Sequence, residues 1–132
     1  MDLEILKIAS DTKNHKDLLG CTHTSKLKNP LCGDFMEVGI KVKNNKITDF
    51  AYKCDACIYC QASASLISKL SINKSIEKIK EVSNFFSDFF NNSNQLFPKG
   101  WKELEKLFNK NNLSRKECIL LPFKTLLKAL KS

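Results

Sequence analysis

The stretch Met36 to Lys53, MEVGIKVKNNKITDFAYK, decides the fold class. Met36, Val38, Ile40 and Val42 alternate with Glu37, Gly39 and Lys41, the period of a strand with one buried face. Lys43-Asn44-Asn45-Lys46 is a turn signal, and Ile47 to Lys53 reads as the return strand of a hairpin. A helical period follows on both sides of this hairpin, so strands and helices are mixed in one chain of 132 residues. That length suits a single domain spanning 1–132, with a core that needs no disulfide or metal to hold it.

Upstream, Leu3, Leu6, Ile8, Leu18 and Leu19 predict a modest amphipathic helix from Asp2 to Leu19, ending by Gly20. The polar segment Cys21 to Pro30 reads as a loop. Downstream, Ala62, Leu66, Ile67 and Leu70 can share one face of a helix rich in small residues. Ser75 has the form of an N-cap for a helix whose Ile76, Ile79, Val82, Phe85, Phe86 and Phe89 make a core-facing stripe. Asn91 to Asn94 and Pro98-Lys99-Gly100 read as loop, and Trp101, Leu104, Leu107 and Phe108 mark another short helix. Ser114-Arg115-Lys116-Glu117 has the form of a capping box, which puts Cys118 near the first turn of a C-terminal helix. Pro122 is expected to kink that helix or to move its start later.

The net charge is +8, yet the lysines are scattered from Lys7 to Lys131, Arg115 is the one arginine, and no basic block is interleaved with aromatics. A solvated basic surface follows, able to steer the chain toward an acidic protein, and no nucleic-acid partner is expected. Met1-Asp2-Leu3-Glu4 is no charged-then-apolar leader and no apolar run is long enough to span a bilayer, so a cytoplasmic protein with reduced thiols and no membrane partner is expected. In that compartment the six cysteines, Cys21, Cys32, Cys54, Cys57, Cys60 and Cys118, point to metal or redox chemistry.

By spacing alone, Cys54, Cys57 and Cys60 open a ferredoxin cluster motif, but Gln61-Ala62-Ser63-Ala64-Ser65 stands where the fourth cysteine and proline belong. A thioredoxin-type Cys-x-x-Cys is also present, without the expected βαβ context. Thiols gain reactivity at helix N-termini, where Cys57 and Cys118 both fall. Cys32 follows Asn29-Pro30-Leu31, with Gly33 and the carboxylate of Asp34 behind it, so Cys32 and Asp34 are able to face one site.

Asn29-Pro30-Leu31-Cys32-Gly33-Asp34 resembles the Asn-Pro-x-Cys-Gly-Asp signature of the NifU-like iron-sulfur cluster assembly scaffolds, the family of IscU and SufU. Ala56-Cys57 followed by Ile58-Tyr59-Cys60-Gln61 and Ala62-Ser63-Ala64-Ser65 is similar to the family's second-cysteine segment. Arg115-Lys116-Glu117-Cys118-Ile119-Leu120-Leu121 resembles the third, and the long interval from Cys57 to Cys118 looks like the SufU branch. The resemblance runs from about Asn29 to the C-terminus. The chaperone-recognition Leu-Pro-Pro-Val-Lys of IscU has no counterpart before Cys118, so no dedicated chaperone is implied.

The resemblance implies an α+β fold, a small antiparallel sheet with helices packed on one face. It also implies one site built from Cys32, Asp34, Cys57 and Cys118, with Cys54 and Cys60 outside the pattern. Three thiolates and a carboxylate suit Zn2+ or a transient [2Fe-2S] cluster. A scaffold would take sulfur from a cysteine desulfurase and pass the cluster to apo iron-sulfur acceptor proteins. The alternative is a zinc-dependent persulfide acceptor of SufU type, with Cys32 as the sulfur-carrying residue. Either is a scaffold or sulfur carrier more than an enzyme. A stable electron carrier built on Cys54, Cys57 and Cys60 is the contrasting reading, and chelator resistance of its cluster is what separates it.

Overall fold

Asn44 and Asn45 both take left-handed backbone, φ 53° and 64°, which is what a two-residue hairpin turn requires and what asparagine tolerates. The turn joins β2 (Phe35–Lys43) to β3 (Lys46–Asp55), as the alternation predicts. The structure, a computed structural model, describes residues 3–30, 33–91 and 96–131. Among these residues the sheet has the order β1-β2-β3, all antiparallel, with β1 spanning His23–Lys28.

Directly paired residues share a face of the sheet. Val38 pairs with Tyr52, Ile40 with Phe50 and Met36 with Cys54, so these six side chains look toward the helices. Met36, Val38 and Ile40 are fully buried there. Helix α4 (Lys116–Leu130) lies across β1 and β2, while α2 (Ile58–Ser71) lies on β3 and against α4. The fold is therefore α+β, an antiparallel sheet with its helices on one face. On the other face Leu18 and Cys21 cover Gly39 so closely that a Cβ there would lie 2.7 Å from each.

Helix α2 buries more than the one face its apolar residues outline. Ala62, Ser63, Ala64, Ser65 and Ser68 are buried along with Leu66 and Ile67, while Leu70 is half-buried. Small residues let neighbours approach, and the hydroxyls find backbone partners: Ser63 donates to Ile119 O at 2.7 Å and Ser65 to Asp11 O at 2.9 Å. Ser75 caps α3 (Ile76–Ser87) by accepting from Lys78 N at 3.1 Å. Phe86 of α3 packs between Phe108 and Phe123, with ring centroids 4.5 and 5.3 Å away.

Four expectations need correction. The first helix, α1, covers only Leu3–Ala9, because Ser10 to Asp17 offer no apolar residue to bury and Asp11 turns the chain by accepting from Lys13 N at 3.2 Å. The released segment instead covers the outer edge of β3, where Tyr52 N donates to Asn14 O and Lys16 N to Tyr52 O. The segment read as a loop contains β1, whose inward Ser25 donates to Thr125 O of α4 rather than packing as an apolar side chain would. Ser114 does not cap α4: it lies in the 3-10 turn Lys110–Arg115, and Arg115 holds the cap position without a side-chain bond. Pro122 sits inside α4 without ending it or delaying its start.

The short helix expected of Trp101, Leu104, Leu107 and Phe108 is the 3-10 helix Lys102–Lys106, around which all four are buried. Most of the predicted loop from Asn91 to Asn94 lies outside the described residues. Among the described residues no helix is long and apolar enough to cross a membrane.

Candidate metal centre

The hairpin register builds the first half of the site. Phe35 pairs with Asp55, so the residue entering β2, Asp34, and the residue leaving toward α2, Cys57, come side by side. Cys57 is the N-cap residue of α2 and has no side-chain cap bond of its own. Asp34 supplies one from outside: its Oδ1 accepts from Cys57 N at 3.3 Å. Helix α4 brings the second half, because the Ser63 to Ile119 bond ties the second turn of α2 to the first turn of α4 and Cys118 precedes Ile119.

One ligand atom each from Asp34, Cys57 and Cys118 lies within 4.8 Å of the others. Asp34 and Cys118 are each only 7% exposed, and Cys57 is half-buried. Among the described residues, the Oδ2 of Asp34 is buried with no hydrogen-bond partner. Burial, then hydrogen bonding with Cys57 and Asp34, pushes the Cys118 thiol far up from its ordinary value. Two sulfurs and a carboxyl oxygen are thus crowded together out of water, an arrangement that a divalent cation relieves by favouring their charged forms. The donor set, two soft thiols and one hard oxygen, fits zinc or iron and leaves room for a further ligand.

Of the four residues expected at the site, the structure brings Asp34, Cys57 and Cys118 together, and Cys32 lies outside the described residues. Cys54 stands on β3 behind them, its thiol pushed up to about 11 by burial and next by the charge of Asp34. Cys60, in the first turn of α2, is fully buried, and its thiol is pushed far up by burial and then by Cys54, Asp34, Cys57 and Cys118. Neither belongs to the group of three. Cys21 lies on the other face of the sheet against Gly39.

Two features carried no signal that spacing reveals. One is the capping of α2 by Asp34 across 23 residues. The other is Arg115, whose guanidinium lies 5.3 Å from the centre of the Tyr59 ring and so ties the starts of α2 and α4.

The NifU-like N terminal domain model matches residues 6–98. The chain belongs to this family. It is 30% identical over 129 residues to the iron-sulfur cluster assembly scaffold protein IscU of Thermotoga maritima, covering 96% of this chain and 89% of that one. It is 28% identical over 74 residues to the zinc-dependent sulfurtransferase SufU of Bacillus subtilis, covering 56% of this chain and 50% of that one. Its fold superposes with a TM-score of 0.87 on a putative iron-sulfur cluster assembly scaffold protein for the SUF system from Fervidobacterium islandicum AW-1, at 23% identity and covering 98% and 96% of the two chains.

Proposed function

We propose that this protein is an iron-sulfur cluster assembly scaffold of the IscU and SufU type. Cys32, Asp34, Cys57 and Cys118 hold the cargo, a [2Fe-2S] cluster built from iron and from sulfur delivered by a cysteine desulfurase. Apo-proteins then take the cluster away. The observation that carries this reading is the convergence of Asp34, Cys57 and Cys118 from three separate elements, with an Asp34 oxygen buried and unpartnered among the thiols. A structural aspartate in that position would have its second oxygen paired or wet. The carboxyl group is also the ligand that an incoming acceptor thiol displaces most easily, being harder than thiolate. Release therefore starts at Asp34. The chain works as one unit over 1–132, in the cytoplasm, where the thiols stay reduced.

The second reading is a zinc-dependent persulfide acceptor in the same pathway, with sulfur arriving on Cys32. The likeness to SufU supports it, as does the tetrahedral count that Cys32 would complete. Purification without oxygen, followed by metal and acid-labile sulfide analysis, separates the two. Iron and sulfide in equal amounts, removed readily by a chelator, support the scaffold. Zinc without sulfide supports the persulfide acceptor, and an iron-sulfur cluster that resists chelator supports an electron carrier and overturns both.

A further inference from the structure

Cys60 has no part in the site described above, and its place on α2 supplies one. The Cys57 carbonyl accepts the first helical bond, from Gln61 N at 3.1 Å, so Cys57 caps the helix with extended backbone of its own and Cys60 stands one turn further on. With a rise of about 1.5 Å and about 3.6 residues per turn, their Cα atoms are about 5 Å apart. A disulfide spans roughly 4.4–6.8 Å between Cα atoms, a range that includes the spacing of this pair. The two thiols differ in access: Cys57 is half-buried at the mouth of the site, whereas Cys60 is 0% exposed beneath it. An outside sulfur donor reaches the first and not the second.

We infer that Cys60 is a resolving thiol, which attacks the inner sulfur of a persulfide carried on Cys57 and releases the outer sulfur as hydrogen sulfide. The inference rests on the sulfur-accepting half of the function proposed above and places the resolved persulfide on Cys57 rather than on Cys32. In this step the S–H bond of Cys60 and the S–SH bond of Cys57 break. The Cys57–Cys60 disulfide forms, the Cys60 sulfur is oxidised, and the outer sulfur is reduced to sulfide and leaves with the Cys60 proton as hydrogen sulfide. The leaving group favours this course, because hydrosulfide is a weaker base than an alkyl thiolate and departs faster. Enclosure keeps Cys60 from outside disulfides and confines it to its neighbour one turn away. A dithiol reductant of the thioredoxin class then reopens the disulfide by thiol exchange for the next turnover. Persulfide sulfur thereby becomes sulfide, the oxidation state a cluster contains, inside the scaffold itself.

The test uses the full chain, metal-free, reduced and without oxygen. Glutathione persulfide is added in equal amount and removed by rapid desalting; sulfide release, intact mass and a non-reducing peptide map follow. Wild type should release stoichiometric sulfide and yield the Cys57–Cys60 cross-linked peptide. Cys60→Ala should keep the extra sulfur on Cys57 and release sulfide at least about tenfold more slowly. Release at the wild-type rate from Cys60→Ala overturns the inference, as does a disulfide joining Cys57 to any other cysteine. If Cys60→Ala loses its cooperative melt, Cys60→Ser is compared in its place and the wild-type peptide map decides by itself. Persulfide that stays on Cys57 or Cys32 of wild type overturns this step alone. A wild-type chain that takes up no sulfane sulfur on any cysteine overturns the sulfur-accepting function with it.

Discussion

Asp34→Ala should have opposite effects on the empty and the metal-loaded protein. In the empty protein the substitution removes the 3.3 Å bond from Cys57 N and the contact with the Cys118 thiol, together worth about 1 kcal/mol. Cys57 is half-buried, so water can replace what its N–H loses. The substitution also removes a buried carboxyl oxygen that has no partner, a relief of about 1–3 kcal/mol. The net expectation is a stability unchanged or raised by up to about 2 kcal/mol. At about 2.1 cal/mol/K of unfolding entropy per residue, each kcal/mol moves the midpoint of this chain by about 4 °C. With zinc bound the sign reverses, because a lost ligand weakens binding by at least about a hundredfold, or about 2.8 kcal/mol, which exceeds that gain. Thermal melts with chelator and with zinc, together with a competition titration of zinc affinity, give both numbers. An empty Asp34→Ala protein that loses more than about 1 kcal/mol, with zinc affinity unchanged, would refute the reasoning and leave Asp34 as a cap of α2 only.

Cys57→Ser and Cys118→Ser should each abolish metal retention, whereas Cys54→Ser with Cys60→Ser should keep both metal and sulfur acceptance; metal analysis of the purified variants checks this. Gly39→Ala should destabilise the protein by about 1–3 kcal/mol in denaturant melts, since its Cβ would meet Cys21 and Leu18 side chains at 2.7 Å. Burial pushes the Tyr52 hydroxyl up to about 12 from 10.0, so the folded state holds that proton more tightly than the unfolded chain. Its contribution is whole below pH 10 and falls as pH rises toward 12. Between about pH 8 and about pH 11, Tyr52→Phe should therefore lose about 1 kcal/mol less stability than wild type.

The hairpin was legible because Met36, Val38 and Ile40 are buried on one face only, which leaves a period of two in the sequence. Strand β1 left no such trace: its only inward apolar residue is Leu27, and Ser25 fills its place by bonding to Thr125 O. The overlong first helix came from Leu18 and Leu19. Leu18 serves the far face of the sheet, a tertiary use that helical spacing cannot reveal. At the site, spacing singled out Cys54, Cys57 and Cys60, which are neighbours in the chain. The convergence of Cys57 with Asp34 and Cys118 depends on strand register and on how α2 meets α4. Only the family resemblance of three separate motifs pointed to that set.

Cys57 and Cys118 open two helices and are separated by 118 − 57 = 61 residues. An ion or cluster shared between them is a removable cross-link around a loop of that length. By chain-entropy reckoning such a link is worth about 4 kcal/mol against unfolding. The loop contains α3 and the rings of Phe86 and Phe108. Under the proposed function, loading the site would fasten this whole half of the molecule, and handing the cargo over would loosen it. A protease that samples open states should cut the loop between α3 and α4 sooner in the emptied protein than in the loaded one.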